Sequence, residues 1–150
     1  MTEQVDQQAW DRQSRLEQYK LCVEMADRVS QRRMVANTLF ATLTTSIIGA
    51  LVVLGSKPEA RSFEVGLCLV GILLAAAWRV HVVHSQRLNS AKFQVIQKIE
   101  LELPCQPFAE EWTLVRTHPA GYIGHSRIEA WVPVVAALVF AGILLTLAKF

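Results

Sequence analysis

A chain of 150 residues with 52% hydrophobic and only 19% charged side chains must segregate its charges from long apolar tracts. The formal net charge of +2 arises from interleaved acidic and basic residues, which gives no case for binding nucleic acid. Cys22, Cys68 and Cys105 lie far apart with no CxxC pair, so neither a disulfide framework nor a zinc site is indicated and reduced thiols are expected.

Residues 1–36 carry six basic and six acidic side chains and precede the first apolar run, which argues against a cleaved signal peptide. From Gln8 to Asn37 there is no Gly or Pro, and the region reads as a helix running into the membrane. Leu16, Tyr19, Val23, Ala26 and Ser30 recur every three or four residues on one face, and Leu21, Met25 and Val29 form an adjacent stripe. Two stripes call for two neighbours, one in the same chain and one in another subunit. Glu24 precedes Arg28 by four residues, a pairing that supports an exposed helix.

Three apolar stretches follow, with boundaries set at 37–55, 63–83 and 130–148. A helix needs about twenty predominantly apolar residues to cross the ~30 Å hydrocarbon layer. Val65 to Trp78 and Ala130 to Ala148 are free of charge and apolar all round, unlike the one-sided helices of a soluble domain. The expected fold is an all-α membrane protein: three transmembrane helices, a short external loop at 56–62, and a cytoplasmic helical layer from 1–36 and 84–129.

Basic residues set the orientation. Arg28, Arg32 and Arg33 stand before the first span, and Arg79, Arg87 and Lys92 follow the core of the second. The intervening loop carries only Lys57 and Arg61, so the N-terminus is expected in the cytoplasm and the C-terminus outside.

The first span is rich in hydroxyls. Thr38, Thr42, Thr45 and Gly49 share one helical face, and Ala41, Thr45 and Gly49 form a small-xxx-small series that permits close helix approach. Two readings stand: helix packing within a bundle, or a hydroxyl-lined pore in an oligomer. No Asp, Glu, Lys or Arg lies mid-membrane, which disfavours a charge-relay pump or coupled transporter. A pore would then be gated by size, hydroxyls or dewetting.

Beyond the second span, Leu88, Ala91, Val95 and Ile99 lie on one face with Phe93, Ile96 and Leu103 beside it. Pro104 ends this segment and Pro107 suits the first turn of a short helix with Glu110 and Glu111 near its positive end. A loop containing Pro119, Gly121 and Gly124 leads to Ser126 and Glu129, an S-x-x-E capping box, with Pro133 near the start of the third span.

Chemistry-bearing clusters are weak. His81 and His84 form H-x-x-H without a nearby carboxylate, so interfacial anchoring explains them better than a metal. His118 and His125 lack ligand spacing, and Glu100, Glu102, Glu110 and Glu111 read as a solvated helix face rather than a cation site. No phosphate loop or nucleophile elbow is present. The expectation is a protein that is not an enzyme and needs no metal or cofactor.

The string LEQYKLCVEMADRVSQRRMVANTLFATLTT at 16–45 resembles the opening of the RipA-type family of small bacterial inner-membrane proteins, described as octameric. RLNSAKFQVIQKIELELPCQPFAEEW at 87–112 is similar to its second signature, and IEAWVP at 128–133 falls where that family begins its last span. The resemblance implies a homo-oligomer in the bacterial inner membrane. A looser similarity to SLATT-type membrane effectors of bacterial defence raises a pore-like role. Within these signatures Asp27, Arg28, Arg32, Arg33 and Asn37 line the cytoplasmic approach to the first span, suited to subunit contacts or lipid phosphate. Leu88, Asn89, Lys92 and Phe93 form a docking surface for the N-terminal helix, and Trp112 an anchor of the cytoplasmic layer. The expected function is an oligomeric membrane assembly, channel-like or stress-responsive; the alternative is a scaffold that recruits a cytoplasmic partner or organises lipid.

Overall fold

The computed structural model describes residues 2–55, 58–117 and 125–149, with side chains for 6–55, 59–115, 117 and 128–149. Its elements are α1 (Thr2–Leu54), a 3-10 turn (Pro58–Ala60), α2 (Arg61–Glu100), α3 (Pro107–Thr117) and α4 (His125–Lys149). No strand occurs among the described residues, and α1, α2 and α4 are each long and apolar enough to cross a membrane. The fold is all-α with three candidate spans. The loop containing Pro119 and Gly121, together with His118 and Gly124, lies outside the described residues, as do the side chains of His125 and Ser126.

At 1.5 Å per residue, the 53 residues of α1 extend ~80 Å and the 40 of α2 ~60 Å, far beyond a ~30 Å hydrocarbon layer. Each span therefore continues as one helix into polar sequence. At the end of α1, the Gly55 N–H donates to the Leu51 carbonyl at 2.9 Å. The last turn of α2 tightens as Glu102 and Leu103 N–H groups bond the carbonyls of Ile99 and Glu100, and Pro104 bars continuation. Pro107 opens α3, where its missing N–H costs nothing.

One expectation needs correction. Pro133 does not sit at the start of its helix, because α4 begins at His125 and places the proline two turns inside it. It is fully buried there and leaves the Glu129 carbonyl without its usual helical donor.

The chain divides into two compact units, one of Met1–Gln31 with Arg87–Ile123 and one of Arg32–Gln86 with Gly124–Phe150. The second unit holds the three apolar stretches. Its core is Leu51, Cys68 and Phe140, flanked by Ile47, Ile48, Leu67, Ile72, Ile143, Leu144 and Leu147. The first unit packs Tyr19 of α1, Phe93 of α2 and Phe108 of α3 together, with Phe108 meeting Phe93 edge-on at 5.7 Å.

Only 11% of the most apolar window of α1 is buried in the protomer, against 28% for α2 and 17% for α4. The rest of these surfaces must meet lipid or other subunits, and α1 has the most left to cover.

Candidate functional site

Helical spacing gives the first span two opposed faces. Asn37, Phe40, Thr44, Ile47, Ile48 and Leu51 are half-buried or buried and turn inward. Thr38, Thr42, Thr45 and Gly49 are all exposed on the other side. A Cβ added at Gly49 would meet nothing within 4 Å. Within this unit, then, the hydroxyl face is turned away from the packed side of α1.

Thr38 and Thr42 on this face, and Ser46 beside it, bond back to their own helix. Thr38 Oγ1 donates to the Met34 carbonyl at 3.0 Å, Thr42 to Thr38 at 2.9 Å, and Ser46 to Thr42 at 2.8 Å. Each proton is satisfied one turn back along the helix, so what projects outward is acceptor oxygen. Thr44, which sequence reasoning did not single out, faces inward instead. It is buried, and its Oγ1 has no hydrogen-bond partner in the unit. Its position four residues after Phe40 was the available signal.

At one end of this unit, Trp78 Nε1 donates to Asn37 Oδ1 at 2.9 Å. The Phe40 ring stacks on Trp78 at 5.9 Å with 6° between planes and tilts against His81 at 5.8 Å. Asn37 is thus committed to joining α1 with α2 rather than to a ligand. Arg33 Nη1 approaches Glu129 Oε2 of α4 at 3.6 Å, while Arg32 is exposed. Buried nitrogens of Arg79 and His81 have no hydrogen-bond partner in this unit, and His84 is exposed. Among the described residues, no group of three His, Cys, Asp or Glu side chains is placed to hold a metal. At the N-terminal end of α2, Glu64 is also buried, with Oε1 unpartnered.

The other unit corrects the reading of Glu100 as solvated. Glu100 is buried, accepting from Tyr19 Oη at 2.9 Å and from the Phe108 backbone N–H at 3.1 Å. One carboxylate oxygen thereby caps α3 and fixes it against α1. Burial, then the hydrogen bond and charge of Glu100, and finally the charge of Cys105 push the Tyr19 phenol up to about 12. Glu102 is exposed and pairs with Arg15 at 2.6 Å; Glu110 and Glu111 are exposed.

Of the other residues expected here, Arg28 pairs with Glu24 at 2.6 Å on an exposed surface and Asp27 is exposed. Lys92 and Asn89 are half-buried, and Asn89 Oδ1 has no hydrogen-bond partner. Trp112 is 44% exposed. The structure brings Asn37 to Trp78, Arg33 to Glu129 and Arg28 to Glu24.

The family model described as octameric membrane protein family (8xMP) matches residues 16–149. No curated protein and no solved structure matches the chain.

Proposed function

The chain belongs to the octameric membrane protein family, and we propose that it works as a ring of identical subunits whose α1 hydroxyl faces line a central pathway for water or small ions. The observation that carries this reading is the exposure of Thr38, Thr42, Thr45 and Gly49 opposite the protomer's own core. Hydroxyls aimed at acyl chains gain nothing, so a wet pathway or a close neighbour suits them better. The satisfied protons of Thr38 and Thr42 let the face tolerate low dielectric while still offering oxygen to a passing cation or water.

In this reading the ring sits in the bacterial inner membrane with its N-terminus in the cytoplasm. Support comes from the basic residues Arg28, Arg32, Arg33, Arg87 and Lys92 on that side. The chain performs no catalysis and carries no cofactor; opening the pathway serves a stress or defence response. A second reading is a scaffold that organises lipid or recruits a cytoplasmic partner. The open space around Gly49 favours it, because a bare glycine face also suits a tightly packed neighbouring helix.

The double substitution Thr42→Val, Thr45→Val separates the two. It keeps side-chain shape and removes hydroxyls. Intact assembly with reduced ion flux across liposomes supports the pathway. Weakened assembly, by ~0.6 kcal/mol per lost interhelical bond, supports packing. Wild-type liposomes that stay tight at every potential and pH tried leave the scaffold as the function.

A further inference from the structure

We infer that neighbouring subunits meet beyond the spans through two unlike stripes, Leu21 and Met25 of α1 on one copy against Leu88, Ala91 and Val95 of α2 on the next. The contact rests on the ring and not on its axis being open.

Leu21, Met25, Leu88 and Val95 are between 41% and 56% exposed, and Ala91 is exposed as well. The protomer's own contacts in this unit run through other positions, Ala26 on α1 and Ile96 and Glu100 on α2. Two apolar stripes therefore remain after the unit has folded. A closed ring requires this arrangement, because a rotational axis of order above two brings together two different patches of the same chain.

Height and charge agree with the pairing. Arg15 stands level with Glu102 and Tyr19 with Glu100, which sets the antiparallel register of α1 and α2. Rotation about an axis along the helices preserves height. Leu21 of one copy then comes level with Val95 of the next, and Met25 with Ala91, each within about one helical turn of ~5.4 Å. Glu17 lies beside the α1 stripe, and Arg87 and Lys98 lie beside the α2 stripe, all three exposed, whereas Glu24 is already held by Arg28. The same register brings Glu17 close to the height of Lys98. Glu17 of one copy thus faces Lys98 of the next. This complementarity, together with the octameric family, points to a second copy as the occupant.

Cysteine pairs test the contact in native membranes. In a Cys22→Ser, Cys105→Ser background, Leu21→Cys with Val95→Cys, and Met25→Cys with Ala91→Cys, are expected to give an oxidised ladder of covalent multimers ending at eight. Each single-cysteine variant should give no ladder. Cross-links confined to one subunit, attachment to a different protein, or no ladder from an oligomer that native mass measurement finds intact would overturn the assignment. If the cysteine pairs impair assembly, charge exchange decides. Glu17→Lys and Lys98→Glu should each weaken the ring by up to about fivefold per interface and restore it when combined. Absence of restoration would also overturn it.

Discussion

The ring of Phe140 on α4 lies directly over Gly71 of α2, so close that a Cβ at position 71 would stand 2.7 Å from three ring carbons. Phe140 is completely buried by this contact and by Leu51 and Cys68 around it. The missing side chain at Gly71 is the socket, and the aromatic ring fills it.

Gly71→Ala is therefore expected to destabilise the subunit by roughly 1–3 kcal/mol through overpacking, and Phe140→Ala by roughly 3–5 kcal/mol through the cavity it leaves. Gly142→Ala, where a Cβ meets nothing within 4 Å, should leave the fold unchanged. Thermal unfolding of the three variants in one mild detergent checks the order. A Gly71→Ala protein as stable as wild type would contradict the socket.

The bond from Trp78 to Asn37 gives a second expectation. Asn37→Leu and Trp78→Phe each remove one side of it, and their double-mutant cycle should show a coupling of ~0.6 kcal/mol, at most ~1.7 kcal/mol. Additive effects would mean that the amide and the indole do not meet in the membrane.

Alkaline titration provides a third. Tyr19 ionises near 12 instead of 10, so its neutral form is favoured in the folded chain. The stability this contributes is present in full below pH 10 and is lost as pH rises from 10 to about 12. In a Tyr122→Phe background, tyrosinate absorbance reports Tyr19 alone. Its midpoint should fall in Glu100→Gln, which removes a negative charge but retains an acceptor. A midpoint at the ordinary value in the parent protein would mean that Tyr19 and Glu100 are apart.

Orientation yields the fourth. Reporter fusions at the two ends should give opposite signals, cytoplasmic at the N-terminus and periplasmic at the C-terminus. Equal signals would require an even number of crossings and would remove one of the three spans.

The spans were legible because all-round apolarity over such lengths has few alternatives, and Pro104 and Pro107 mark their helix boundaries through backbone chemistry alone. Glu100 was not. It lies four residues after Ile96, on the stripe that is buried, yet its charge and the nearby Glu102 suggested a solvated surface. The donors that make its burial tolerable come from Tyr19, far away in sequence, and from the start of α3. Of the face of α2 chosen from spacing, Leu88, Ala91 and Val95 are exposed and Ile99 is half-buried, one stripe away from the buried Ile96. Adjacent stripes look alike in a sequence. Only the aromatic partners from another helix distinguish them. At the candidate site, Thr38, Thr42, Thr45 and Gly49 could be grouped from spacing, whereas the saturation of their neighbours' carbonyls required side-chain geometry.

Pro133 has a mechanical consequence. The hydrogen-bond ladder of α4 lacks a rung between residues 133 and 129, two turns from the start of a helix that otherwise runs through to Lys149. A rod with one missing rung is softest there, so α4 concentrates its bending compliance near one end of the span. Bending imposed on α4 is therefore expected to concentrate at that joint rather than in the tightly seated stretch around Phe140.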